Sequence, residues 1–118
     1  MLSLRIKFKG AIQKMEECER FKIYDEGLSV FGMQCQYDQC VEEMAELMVA
    51  INKIKRQQSY GEYEGDLSIK ENLMEELADV FICVEGLAHF LGKGEFDAMV
   101  EKKMQKFAST IKKCSAQK

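Results

Sequence analysis

Residues 41–51 read V-E-E-M-A-E-L-M-V-A-I, and residues 74–84 read M-E-E-L-A-D-V-F-I-C-V. Each copy sets out two acids, an apolar residue, alanine, a third acid and then an apolar run. The second and third acids stand three apart, Glu43 with Glu46 and Glu76 with Asp79. Residues at i and i+3 are neighbours on a helix surface, so each copy makes one carboxylate pair. Two such pairs can converge on a cation.

The residues around each copy carry helical spacing. Val41, Met44, Leu47, Met48, Ile51 and Ile54 predict a helix over about 34–57. Stepping about 100° per residue from Glu43, that stripe covers roughly 20° to 160°, with Glu43 at its edge and Glu46 on the polar side. Further on, Ser68-x-x-Glu71 is a capping-box signature and predicts the start of a third helix. Its stripe is Leu73, Leu77, Val80, Phe81, Val84, Leu87 and Leu91, and it should stop at Gly92 or Gly94, glycine being favoured just past a helix end. Glu76 and Asp79 stand to this stripe as Glu43 and Glu46 stand to theirs. Two antiparallel helices packed through these stripes would bring both pairs to one seam.

The remaining elements are read outward from that pair. Leu2, Leu4, Ile6 and Phe8 alternate with Ser3, Arg5, Lys7 and Lys9, a pattern open to a half-buried strand or extended arm and to a frayed helix start. A helical pattern follows over about 11–24, and Gly27 and Gly32 bracket an expected turn at Leu28, Val30 and Phe31. Residues 58–67 hold two glycines and no periodicity, the mark of a long loop. A last helix over about 96–112 has its stripe at Phe96, Val100, Met104, Phe107 and Ile111, with Lys103 near the middle of it. A lysine there either snorkels to the rim or reaches a buried anionic site. The expected fold is an all-α bundle of about four to five helices in a single domain, with its core over about 28–111 and residues 1–27 as an N-terminal arm or helix.

Composition agrees with that class. The chain of 118 residues has no proline, so the main helix breaker is missing. Its formal net charge of −3 argues against nucleic-acid binding through a broad basic field. Five cysteines without CxxC spacing do not make a disulfide framework, and a reducing, cytoplasmic setting is expected. No apolar run approaches membrane-spanning length, and no signal-peptide pattern opens the chain.

Four carboxylates brought together need an answer to their repulsion. At an effective dielectric of about 20, like charges ~4 Å apart repel by roughly 4 kcal/mol. Protons or a cation must relieve it. An all-oxygen ligand set suits Mg²⁺, Mn²⁺ or Ca²⁺. Zinc would want Cys or His, and a ferritin-like di-iron centre would want Glu-x-x-His in both copies, where Glu46 and Asp79 stand instead. His89 falls on the polar side of the third helix and is expected to be exposed.

Glu42-Glu43-Met44-Ala45-Glu46, a long spacer, and Glu76-Leu77-Ala78-Asp79 before an apolar helix resemble the motif of the MazG-type nucleotide pyrophosphohydrolases, of the all-α NTP pyrophosphatase superfamily. Phe31-Gly32, Asn72-Leu73 and Lys102-Lys103-Met104 add to the likeness, which covers roughly residues 28–111. The spacer from Leu47 to Glu75 is at the long end for that family. What the resemblance implies is Mg²⁺-dependent hydrolysis of a nucleoside triphosphate (NTP or dNTP) to the monophosphate and pyrophosphate, Mn²⁺ being a substitute. It implies Glu43, Glu46, Glu76 and Asp79 as metal ligands, Glu42 as a candidate base, and Lys103, Lys53 and Lys106 as phosphate-binding point charges. It also implies a homodimer or homotetramer. Some members read the base with tryptophan, which this chain lacks; Tyr60, Tyr63, Phe31 and Phe90 are the aromatic alternatives. A relative specialised for dUTP, dCTP or phosphoribosyl-ATP, and a non-catalytic module that binds a nucleotide or metal, are the other readings.

Overall fold

A computed structural model describes residues 12–59 and 67–117. The alternating stretch at residues 1–10, and Tyr60 and Tyr63 of the expected loop, lie outside the described residues. Every regular element among those described is helical: α1 is Glu17–Phe31, α2 is Met33–Ser59 and α3 is Leu67–Ala116. None of these helices is long and apolar enough to cross a membrane. By packing, the chain divides into two compact units, the first ending at Gly86 and the second starting at Leu87.

The first helix differs from expectation at both ends. Ile12–Glu16 is not helical, and α1 starts at Glu17, where the Glu16 carbonyl accepts from the amides of Glu19 and Arg20 at 3.1 and 3.2 Å. The turn expected at residues 27–31 is helix instead, because Gly27 keeps helical geometry and only Gly32 departs. A glycine inside a helix costs about 1 kcal/mol relative to alanine, which neighbouring turns can override. Gly32 has φ 82°, a conformation that side chains with a Cβ rarely adopt. Its amide closes α1 onto the Leu28 carbonyl at 2.9 Å, and α2 begins one residue later.

In the first unit, α2 and the leading part of α3 run antiparallel. Cys40 adjoins Cys83, Glu43 faces Asp79, and Glu46 faces Glu76, so rising numbers on one helix meet falling numbers on the other. The face that α2 buries is not the expected stripe. Val41 and Met48 are 69% and 64% exposed, and Met44 and Ile51 are exposed too, whereas Cys40, Glu43 and Ala50 are buried. The packed face is thus rotated toward Glu43, which sits within it and not at its edge. Cys40 on this face meets Cys83 of α3, while Val41 and Met48 stay outside that contact and Leu47 and Ile54 are half-buried. On α3 in this unit, Ile69 and Cys83 are buried, whereas Leu77 and Phe81 of the expected stripe are exposed.

A polar clamp ties α1 to α3. Arg20 Nε donates to Glu85 Oε1 at 2.6 Å and Arg20 Nη2 to Glu85 Oε2 at 3.0 Å, while the Tyr24 hydroxyl donates to Glu85 Oε1 at 2.9 Å. Glu85 is only 7% exposed, and a carboxylate buried to that degree is tolerated when both oxygens are engaged by a paired charge.

The second unit carries the rest of α3. Gly92 breaks its helical geometry at φ 134°, ψ 93°, at one of the two glycines expected to stop the third helix. Helix resumes directly after this kink, ahead of Phe96, and continues to Ala116. Lys93 bonds Asp97 at 2.6 Å and lies 5.9 Å from the centre of the Phe96 ring. The expected last stripe, Phe96, Val100, Met104, Phe107 and Ile111, is exposed in the single chain.

The two ion pairs should differ sharply in value. Removing one partner of a buried pair strands the other charge, whereas an exposed i,i+4 pair contributes about 0.5 kcal/mol or less. In thermal melts, Arg20→Ala should therefore lower the melting temperature well beyond Asp97→Ala, and equal shifts would show that the clamp does not hold α1.

Candidate metal centre

Glu43 and Glu46 come from one turn of α2, and Glu76 and Asp79 from one turn of α3. Each offers a carboxylate oxygen, and the four oxygens all lie within 4.8 Å of one another. Opposite ligands of an octahedral Mg²⁺ stand about 4.1 Å apart, and those of Ca²⁺ about 5 Å. The spread fits the sphere of a hard divalent cation after, at most, small rotations of the side chains.

Burial and orphaned oxygens make this more than a solvated acidic face. Among the described residues, Glu43, at 2% exposure, is the largest side chain buried to that degree. One of its oxygens, Oε1, accepts from Gln39 Nε2 at 2.7 Å. The other, Oε2, is buried with no donor among the described residues, and so is Glu76 Oε2. Glu46 opposite Glu76, and Glu43 opposite Asp79, are acceptors facing acceptors when ionised. Such a contact becomes a hydrogen bond only if one member takes up a proton. Burial, and then the charge of Glu46 and Asp79, raise the Glu76 pKa above its ordinary value; burial, and then the charge of Glu43, raise that of Asp79. A cation and a proton compete for the same oxygens, and the donor set is the one a hard cation prefers.

The other site residues read from the sequence are placed less closely. Glu42 is exposed beside the four acids, and Lys53 is exposed on α2, two turns past Glu46 and about 10 Å along the axis. Lys103 and Lys106 are exposed residues of the second unit. His89 is half-buried with its ring 5.6 Å from that of Phe90, and not exposed as its place on the helical wheel suggested.

Three features near the cluster escaped the sequence reading. Gln39 orients Glu43 from one turn earlier on α2, a spacing that the sequence does contain. Cys40 and Cys83 meet one turn beyond the acids, where burial raises the pKa of both thiols, that of Cys83 to about 12. Both are free cysteines and stay protonated at neutral pH. The third is a cavity of about 370 Å³ lined by Tyr24, Phe31, Gln36, Gln39, Ile82 and Cys83. Arg20 and Tyr24 share one face of α1, four residues apart, but nothing in that spacing names Glu85 as their partner. No family model matches the chain, and no curated protein or solved structure matches it.

The raised acids set a pH dependence. In the folded state Glu76 and Asp79 bind protons more tightly than in the unfolded chain, so the folded form holds more protons between the two pKa values, and stability falls as pH rises through that window. The metal-free protein should lose melting temperature as pH climbs from the ordinary carboxylate values near about 4 toward neutrality, and Glu76→Gln should flatten that decline. An equally steep decline in the variant would remove the cluster as its cause.

Proposed function

We propose that the protein is a MazG-like nucleoside triphosphate pyrophosphohydrolase that hydrolyses an NTP or dNTP to the nucleoside monophosphate and pyrophosphate. The observation that carries this reading is the four-carboxylate cluster, in which Glu43, Glu46, Glu76 and Asp79 converge from two antiparallel helices with buried oxygens left unbonded. The motif supplying those acids is the one that resembles the family. In this reading the fold is a bundle of four to five helices, with Gly92 separating the third from the fourth.

The four carboxylates would hold Mg²⁺, or Mn²⁺ in its place. Such an ion, when bound, neutralises triphosphate oxygens and orients a water for in-line attack. The chain's own residues do the rest. Gln39 fixes one oxygen of Glu43, so that the other points toward the cluster. Exposed Glu42 accepts the proton of the water as it adds to the α-phosphorus, and pyrophosphate leaves. Within the first unit, Lys53 receives a phosphate as a point charge.

The partner in this reading is a second copy, forming a dimer or a dimer of dimers. Val41, Met44, Met48 and Ile51 along α2, with Leu77 and Phe81 on α3, expose more apolar side chains than scattered single residues would explain, and contiguous patches of that kind mark interaction surfaces.

A panel of NTPs and dNTPs with Mg²⁺, assayed for pyrophosphate, separates enzyme from binding module and also tells a broad enzyme from a nucleotide-specific one. Release from at least one nucleotide is expected; binding without release from any would leave a non-catalytic module. Loss even of groups that only orient metal ligands costs roughly 10–100-fold, so Glu43→Gln and Asp79→Asn should each lose at least that much turnover. Turnover at the wild-type level in either would place the metal elsewhere.

A further inference from the structure

The cavity in the first unit is tied to the acid cluster by two of its own lining residues. Gln39 lines it and donates to Glu43 Oε1 at 2.7 Å; Cys83 lines it one turn after Asp79 on α3. Its volume, about 370 Å³, lies within the range of small-molecule sites, which are mostly apolar with a few polar groups that set orientation. Tyr24, Phe31 and Ile82 form apolar walls, and the Gln36 amide supplies both a donor and an acceptor. No lysine or arginine is among the described residues that line it. The described lining is neutral and suits an uncharged group better than a phosphate.

One wall is held unusually firmly. Glu85 takes the Tyr24 hydroxyl at 2.9 Å and is itself gripped by Arg20 through both oxygens. The body of the ring lies over Gly86, where the first side-chain carbon of any larger residue would come within 3.5 Å of Tyr24 Cδ1. Burial and the bond to Glu85 raise the Tyr24 pKa to about 12, so at neutral pH the phenol stays a donor and the ring stays neutral. Two of its contacts thus fix the ring beside a cavity that Gln39 joins to Glu43.

We propose that this cavity takes the planar, uncharged base of the nucleotide, that Tyr24 is its specificity-determining wall, and that Glu85 and Arg20 are positioning residues for Tyr24. The inference rests on the nucleotide reading and deepens it. Phosphates stay at the carboxylate-held cation, the base lies against Tyr24 and Phe31, and Gln36 meets the base edge. Glu85 and Arg20 touch neither part of the nucleotide and act only through the tyrosine.

Michaelis constants for the preferred nucleotide, alongside inhibition by inorganic tripolyphosphate, which has no base, test the assignment. Loss of one aromatic platform under a base weakens binding by about tenfold or more, so Tyr24→Ala should raise KM by that factor, with the effect on KM and not on kcat. Inhibition by tripolyphosphate should stay at the wild-type level. Glu85→Ala should reproduce the rise, and Glu85→Gln, which keeps an acceptor for the tyrosine, should largely restore the wild-type KM. Ile82→Trp changes an exposed wall residue and fills the cavity without touching the clamp, so it should block nucleotide but not tripolyphosphate even if the clamp variants fold poorly. A wild-type KM in both Tyr24→Ala and Ile82→Trp, or a parallel loss of tripolyphosphate inhibition in both, overturns the proposal. If the wild type hydrolyses no nucleotide, the enzymatic reading fails on its own, and titration with uncharged nucleosides decides the cavity: binding to wild type but not to Ile82→Trp upholds it, and no binding to either overturns it.

Discussion

Two antiparallel helices in the first unit bring one oxygen from each of four carboxylates to within 4.8 Å of one another, one of them from the deeply buried Glu43. In the metal-free chain that contact opposes folding. Burial and mutual repulsion push Glu76 and Asp79 toward their protonated forms, and two buried oxygens have no donor. Proteins seldom keep buried polar atoms without partners. Cys40 and Cys83 meet across α2 and α3, and the same contact brings the acids together. A divalent cation held there would turn the repulsion into coordination, which would tie the packing of this seam to its chemistry.

The clamp of Arg20, Tyr24 and Glu85 provides the second constraint. It fastens α1 across α3 with a two-point ion pair and a phenol hydrogen bond. A buried carboxylate bound this way fixes geometry more than it adds stability. Here the fixed geometry is that of a tyrosine beside a cavity, and the cavity's floor reaches Glu43 through Gln39. Cluster, cavity and clamp therefore form one connected neighbourhood within the first unit.

Much of this was legible in the repeated E-E-Φ-A-[E/D] pattern. Helical periodicity and the lack of proline pointed to an all-helical chain, and the i,i+3 spacing singled out the four acids that the fold brings together. Glycine was harder to read: Gly27 and Gly32 look alike in sequence, yet only Gly32 takes a positive φ, since local propensity does not say which glycine the packing will use. The apolar stripes misled for a different reason. Periodicity marks a face that seeks burial without saying against what, and the stripe through Val41 and Met48 is left exposed in the single chain. The partner of Glu85 was illegible because a contact between residues 61 and 65 positions apart leaves no local spacing to detect. The substrate lies further off still: carboxylates specify a hard cation, and only the likeness of the motif speaks of nucleotides.

Crystals grown with Mn²⁺ and measured for anomalous scattering test the central claim most directly. A peak within coordination distance of oxygens from Glu43, Glu46, Glu76 and Asp79, absent in crystals of Glu43→Gln, is the predicted result. A well-ordered cluster with no peak at millimolar Mn²⁺, or a peak bound elsewhere, would contradict it.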